Sequence, residues 1–466
     1  MLVITSCGKD YLSPAPTSAV SAANYFTTDA QLESGVINMY DGIQGVNILA
    51  DTDVNKNHSV QFEFYLTEMR SDNTKTKSFE GEQAQFEDYS IEANNGIVTD
   101  YYRSFYNIIY RANVVLANLE VASAENRNQY EGEAKFVRGY AYFNLVRLFG
   151  DVPLIDRVVE PLEKDIQFTR VSTDKVYGQI VDDLTSAANL LEGDTYKTRA
   201  SKSGAQALLA KVHLTRGNYS EARTLCEAVM SAGFALESEF QNVFYSEGNN
   251  EVIFAVGYAS DNSQDSQNFS AEMLNAVGRT TGVNYVTDEA VAFLDANGGN
   301  RTAYSYRQDA LQTQFNQVVK YLPDGDANLG IPAVSNDPTS AGNDLIVLRY
   351  ADVLLMHVEA IMNLGSGTST TDPAALASFQ TVRDRAGLTD PVAAVTKEEL
   401  LDERRAELAF ENHRFFDLVR FGVANDVLSQ YSADNGYSFS GTDLLLPIPQ
   451  REINLSNGLL TQNPGY

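Results

Sequence analysis

The chain has 466 residues, of which 44% are hydrophobic and 21% charged, and it carries a net charge of −28. That is enough apolar material for a large core, and the charge would be repelled by phosphate backbones, so nucleic-acid binding is excluded. No run of 18 or more apolar residues occurs, so no segment is expected to span a membrane as a helix.

The chain opens Met1-Leu2-Val3-Ile4-Thr5-Ser6-Cys7-Gly8. An aliphatic residue, two small residues and a cysteine resemble a bacterial lipobox, in which Cys7 would be acylated. The alternative is a cysteine met by chance near the start, because the basic and apolar parts of a signal peptide are incomplete. Leu12-Ser13-Pro14-Ala15-Pro16-Thr17-Ser18 then reads as an extended tether. Asp51-Thr52-Asp53-Val54-Asn55 begins like a calcium loop, but it lacks glycine at the sixth position and glutamate at the twelfth, where Phe62 stands. No metal is expected there.

Helical periodicity dominates the chain. Over Tyr101–Glu120 the apolar residues Phe105, Ile108, Ile109, Ala112, Val115 and Leu116 fall at three-and-four spacing, which places them on one helix face. Glu133–Phe149 repeats the pattern and stops at Gly150, before an extended Asp151-Val152-Pro153-Leu154-Ile155. Ser172–Leu191 is a third helix, with Thr173 and Asp174 as expected caps. Lys202–Gly233 contains an Ala/Leu helix, a Gly217-Asn218-Tyr219 turn and a second helix from near Ala222. This matches one tetratricopeptide-like hairpin. Segments 97–121 with 133–149, and 344–364 with 373–386, are weaker relatives of it, so the pairs predict a right-handed helical stack. Cys226 lies inside a helical pattern and reads as a small buried residue.

Between about 240 and 345 the texture changes. Val252–Val256 reads as a strand and Asp288–Leu294 as a short helix, among stretches rich in Gly, Asn, Asp and Ser. Residues 51–96 are similarly irregular. The expected fold is therefore mainly α: a tetratricopeptide-like helical scaffold over about 21–50, 97–235 and 344–430. A loop-rich layer with few short strands covers it, over about 51–96 and 240–343. Such layers favour binding sites. The four histidines show no metal-ligand spacing, and no nucleophile elbow, P-loop or dinucleotide fingerprint occurs, so neither enzyme chemistry nor a cofactor is expected.

Several motifs together resemble the SusD/RagB family. They are the helix Glu133–Phe149 with its Gly150-Asp151-Val152-Pro153-Leu154 exit, the segment Arg349–Met356 with Glu359-Ala360, the charged stretch Glu403–Gly422, and the ending Leu446-Pro447-Ile448-Pro449 with Gln462-Asn463-Pro464-Gly465-Tyr466. Phe421 stands where the family more often has tryptophan. In 403–420 the arginines 404, 405, 414 and 420 are expected to pair with Glu403, Glu407, Glu411 and Asp417. The resemblance implies an outer-membrane lipoprotein facing the cell exterior. Residues 1–20 would be signal remnant and tether, Cys7 the lipid anchor, and 21–466 a single domain. The partner it implies is a SusC-like TonB-dependent transporter, to which a captured oligosaccharide is delivered. A peptide-binding lid of a peptide importer is the alternative.

The resemblance does not transfer ligand residues cleanly, and this chain has no tryptophan to stack on sugars. Glu68-Met69-Arg70-Ser71-Asp72-Asn73 resembles a family stretch near the binding face. The expected glycan contacts are Arg70, Asp72, Asn73 and Tyr89 from the first irregular region, and Tyr285, Tyr304 and Tyr306 from the second. The polar residues would hydrogen-bond and the tyrosines would stack. Arg70, Lys75 and Lys77 form a small basic cluster suited to an anionic sugar.

Overall fold

The computed structural model describes residues 25–47, 57–77, 80–159, 163, 168–193, 197–262, 264–273, 284–310 and 312–466. Cys7 and the Asp51–Lys56 part of the calcium-like loop lie outside them. The first helix, α1 (Asp29–Gln44), starts where the Thr28 side chain accepts the Gln31 N–H. The stripe predicted from Phe105 to Leu116 forms α2 (Gly96–Ala117), capped by Asn95, whose side chain accepts the N–H groups of Ile97 and Val98. The next helix, α3 (Arg127–Phe149), is buried around most of its circumference, with Phe136, Tyr142, Asn144 and Leu148 all inside. Gly150 ends it at φ 70°, a conformation that disfavours a Cβ.

The exit motif after α3 has a local task. Helix α4 (Thr173–Leu190) is not capped by the expected Thr173 or Asp174 side chains. Asp151 caps it instead, its Oδ1 accepting the Thr173 N–H at 2.9 Å. Helices α5 (Lys202–Thr215) and α6 (Tyr219–Met230) form the predicted hairpin, with Gly217 at φ 74° in the turn and Ala222 and Cys226 buried in the seam. Helix α7 (Asp288–Asn297) matches the short predicted helix. Then come α8 (Tyr350–Leu364), α9 (Pro373–Arg385), α10 (Lys397–Glu407), α11 (Arg414–Arg420) and α12 (Ala424–Asn435).

Consecutive helices pack as a stack: α1 on α2, then α3, α4, α5 and α6, with α8 against α6 and α9 against α8. The fold is mainly α with a tetratricopeptide-like helical scaffold, and one apolar cluster runs through it from Leu32 to Leu460. The approach of α3 to α4 depends on glycine. A Cβ at Gly132 would lie 2.7 Å from Leu191 Cγ, whereas one at Gly178 on α4 would meet nothing within 4 Å. Gly132→Ala is expected to cost about 1–3 kcal/mol through overpacking. Gly178→Ala is expected to be neutral or to stabilise by up to about 1 kcal/mol. Urea denaturation of both variants checks this; equal midpoints would contradict the close-packing argument.

The strands form the predicted minority. Val252–Val256 is β2, and it pairs antiparallel with β6 (Leu345–Arg349). The segment 344–364, expected as helix throughout, therefore begins as a strand. Its Leu345-Ile346-Val347-Leu348 run is apolar enough for either element, and pairing with β2 decides it. A second sheet is built from β1 (Thr74–Thr76), β3 (Asn284–Val286), β4 (Tyr306–Gln308) and β5 (Asn316–Val318) in the order β1-β3-β5-β4. A hairpin-like ladder joins β7 (Ser369–Thr370) to β8 (Val395–Thr396).

The charged stretch 403–420 lies inside the protein. Arg404 bonds Asp417 as expected, and Arg420 bonds Asp417 and Glu359. The remaining pairing differs from expectation. Glu407 receives Arg349 at 2.5 Å and Arg301 at 2.9 Å, and also contacts Arg385. Glu403 takes Arg301 and Arg383, while Glu411 takes Lys320 and Arg349. Glu251 closes the group by accepting from Arg349 and Arg385. Arg405 and Arg414 both face Asp72. Glu403, Glu407 and Glu411 do not form one helical ladder, because α10 ends at Glu407 and the chain turns through Phe410 and Asn412 at φ 66° and 64°.

Candidate functional site

The irregular layer is tied to the scaffold where β1 begins. Asp72 is 1% exposed and holds Arg414 through two bonds of 2.8 Å. Burial pushes its pKa up, but the Arg405 and Arg414 charges outweigh that and hold the carboxyl well below the usual range. Asn73, also 1% exposed, accepts from Arg405 and donates to Glu68. Glu68 also accepts the Asn412 N–H at 2.8 Å, and burial pushes its pKa up to about 7. These bonds fix the origin of β1, and Thr76 is held in turn by its N–H to the Glu87 carboxylate at 2.7 Å.

Arg70, Asp72 and Asn73, expected to touch a glycan, therefore face inward. Arg70 is fully buried, donates to the carbonyls of Leu66 and Asp443, and lies over the Phe415 ring at 4.2 Å. Tyr89 is also an interior residue. It sits at φ 60°, packs edge-on against Phe439 at 5.0 Å, and donates its hydroxyl to the Arg70 carbonyl. Their polar atoms serve the fold, because a buried polar group must find a partner inside.

The three later tyrosines do not converge. Paired residues share a face of an antiparallel sheet. Val286 pairs with Asn316, and Val318, two residues along, pairs with Tyr306. Tyr306 thus lies on the Val286 side, and its hydroxyl donates to Asp295. Tyr304 packs in a separate cluster with Val319, Leu322 and Ile331. Tyr285 precedes Val286 and takes the opposite, outer face, paired with Lys75.

That outer face holds the candidate site. The half-buried rings of Tyr285 and Phe315 lie 4.5 Å apart at 55°. Lys75 Nζ stands 5.4 Å from the Tyr285 ring and Lys77 Nζ 5.7 Å from the Phe315 ring. Beside it a cleft of about 250 Å³ is lined by Glu87, Asp88, Tyr437 and Ser438. Tyr437 donates its hydroxyl to Glu87, whose pKa is raised, chiefly by burial. A shallow surface of this kind can cover the C–H face of a ring with an aromatic plane and present cations and acceptors at its rim. Of the expected basic cluster, Lys75 and Lys77 reach this face. Sequence reasoning misses Phe315 and Tyr437, although Phe315 begins the alternating run Phe315-Asn316-Gln317-Val318, and Tyr437 comes after a turn glycine.

Among the described residues no helix is long and apolar enough to cross a membrane, and no group of three or more His, Cys, Asp or Glu side chains is placed to hold a metal ion. The class defined by this architecture is a tetratricopeptide-like helical scaffold carrying a short-stranded surface layer.

The chain belongs to the SusD/RagB family. A family profile described as "Starch-binding associating with outer membrane" matches residues 20–214, and one described as "SusD family" matches 328–466. SusD-like protein P2 of Formosa agariphila is 27% identical over 512 aligned positions, covering 100% of this chain and 98% of that protein. The starch-binding protein SusD of Bacteroides thetaiotaomicron is 34% identical over 188 positions, covering 38% of this chain and 31% of that protein. A laminarin-binding SusD-like protein superposes with a TM-score of 0.76 at 25% identity, covering 95% of this chain and 100% of that one.

Proposed function

We propose that the protein is a non-enzymatic, lipid-anchored glycan-binding protein of the outer cell surface, which captures an oligosaccharide and delivers it to a SusC-like TonB-dependent transporter. The observation that carries this reading is the Tyr285–Phe315 ring pair on the outer sheet face, flanked by Lys75 and Lys77 and fixed from below by the Asp72 pairs. Rings held in place before binding lose little freedom when a sugar stacks on them. The starch- and laminarin-binding relatives support a saccharide as the ligand. Cys7 is the proposed acylation site, and the acyl chains of a lipidated cysteine would supply the anchor.

The test is calorimetry against laminarin, starch oligosaccharides and a peptide panel, with Tyr285→Ala and Phe315→Ala beside the parent. Each substitution is expected to weaken glycan binding on the order of tenfold, about 1.4 kcal/mol, with the melting temperature nearly unchanged. Binding of peptides and of no glycan would overturn the reading in favour of a peptide lid. Unchanged glycan affinity in both variants would remove the site from this face.

A further inference from the structure

A second concave surface shares no lining residue with the sheet face or the cleft beside it. It is an open groove of about 490 Å³ between α2, the strand-like exit after α3 and the short helix Gln450–Leu455. That volume falls within the range of small-ligand sites, roughly 300–1,000 Å³. Its walls are fixed. The Tyr106 hydroxyl donates to the Pro153 carbonyl at 2.8 Å, and the Gln450 N–H to the Ala93 carbonyl at 2.8 Å. Asn463 ties the end of the chain to the carbonyls of Phe149 and Leu446.

The groove combines aromatic surface with cations that pair with no anion among the described residues. Tyr106 is half-buried along it and Phe168 is 39% exposed beside it. Arg103 stands on the α2 wall and Arg451 on the opposite helix. Neither makes an ion pair or hydrogen bond with any described residue, whereas the interior arginines 301, 349, 385, 404, 405 and 414 are all paired. Glu452 also lines the groove, so two guanidinium groups stand there against one carboxylate, and no ion pair forms among the three. The Asn107 side-chain oxygen accepts from Arg111, which leaves its amide N–H groups as donors. In a chain of net charge −28, a groove whose two guanidinium groups outnumber its one carboxylate, and pair with no described residue, marks a place for a supplied anion.

We infer that this groove is a second saccharide site, selective for sugars bearing a carboxylate or sulfate. The sugar ring lies on Tyr106 and Phe168, and Arg103 and Arg451 clamp its acid group. Guanidinium forks match both oxyanions, and the flat rings match the C–H face of a sugar. The inference rests on the glycan-binding reading and deepens it by naming the class of sugar.

The experiment measures binding of three probes by calorimetry: an oligogalacturonate, a sulfated galactan oligosaccharide and a neutral galactan oligosaccharide. Parent, Arg103→Gln, Arg451→Gln and Tyr285→Ala proteins are compared. The parent is expected to bind at least one acidic probe, and each arginine variant to bind it about tenfold more weakly, with neutral binding unchanged. Which acidic probe binds distinguishes carboxylate from sulfate. The melting temperature is expected to hold, because Arg103 is only partly buried and Arg451 is exposed. Failure of the parent to bind either acidic probe, or equal acidic-probe affinity in the arginine variants, would overturn the inference. Loss of acidic-probe binding only in Tyr285→Ala would assign the acid to the sheet face and overturn it as well. Neutral-glycan binding lost in Tyr285→Ala tests the separate reading of that face.

Discussion

Replacing Glu407 by glutamine is expected to cost about 3–5 kcal/mol of folding stability, read as a lowered urea midpoint with unchanged slope. Glu407 is fully buried and meets three guanidinium groups, those of Arg301, Arg349 and Arg385. Burial opposes its ionised form, but those arginines hold its carboxyl well below the ordinary range. An amide of the same shape can still accept a hydrogen bond, so little packing is lost. What is lost is one of the four carboxylates, with Glu251, Glu403 and Glu411, that neutralise these interior cations. The paired change Glu407→Gln with Arg301→Met should recover part of the loss, because it removes one of the cations left in excess over the remaining carboxylates. No recovery would mean that geometry, rather than charge, is what Glu407 supplies.

Asp72→Ala is expected to have an effect of the same size, about 3–5 kcal/mol, and to disturb the candidate site as well. The substitution leaves Arg405 and Arg414 facing each other without an anion between them, apart from a long Arg405 contact of 3.4 Å to the half-exposed Glu289. It also frees the start of β1 and so the placement of Lys75 against Tyr285. Glycan affinity should therefore fall together with the urea midpoint. Tyr285→Ala, by contrast, should lower affinity alone. If Asp72→Ala weakened binding while leaving the urea midpoint in place, Asp72 would be a ligand contact, as the sequence suggests, and not an interior anchor.

The helices are legible in the sequence because a 3.6-residue period is written in the order of apolar residues: Phe105, Ile108, Ile109 and Ala112 are enough to mark α2. The strand Val252–Val256 is legible as a short apolar run bounded by Glu251 and Gly257, but its partner Leu345–Arg349 is not. It runs directly into a helix, and only the pairing with β2 shows where one element ends. Strands of three residues, such as β1 and β3, carry no detectable period. The candidate site is half visible. Lys75, Lys77 and Tyr285 stand out as unusual residues in a polar region, yet Arg70, Asp72 and Asn73 look equally exposed in sequence. Their burial comes from partners such as Arg414, 342 residues further along the chain, and no local pattern reports a contact of that range. The alternating charges of 403–420 announce ion pairing correctly. They do not announce most of the partners, because Arg301, Lys320, Arg349 and Arg385 come from other elements.

The interior charge network has a consequence for how copies of the protein meet. The cations drawn inside, from Arg301 to Arg420 with Lys211 and Lys320, outnumber the carboxylates they bind there. The network therefore takes up none of the chain's negative charge, and most acidic side chains of the described residues lie outside it at the surface. Two such surfaces repel beyond contact range in dilute buffer, and the repulsion decays within about 10 Å at 0.1 M salt. Crowded side by side, these molecules would keep apart in fresh water and draw closer as the medium becomes saline.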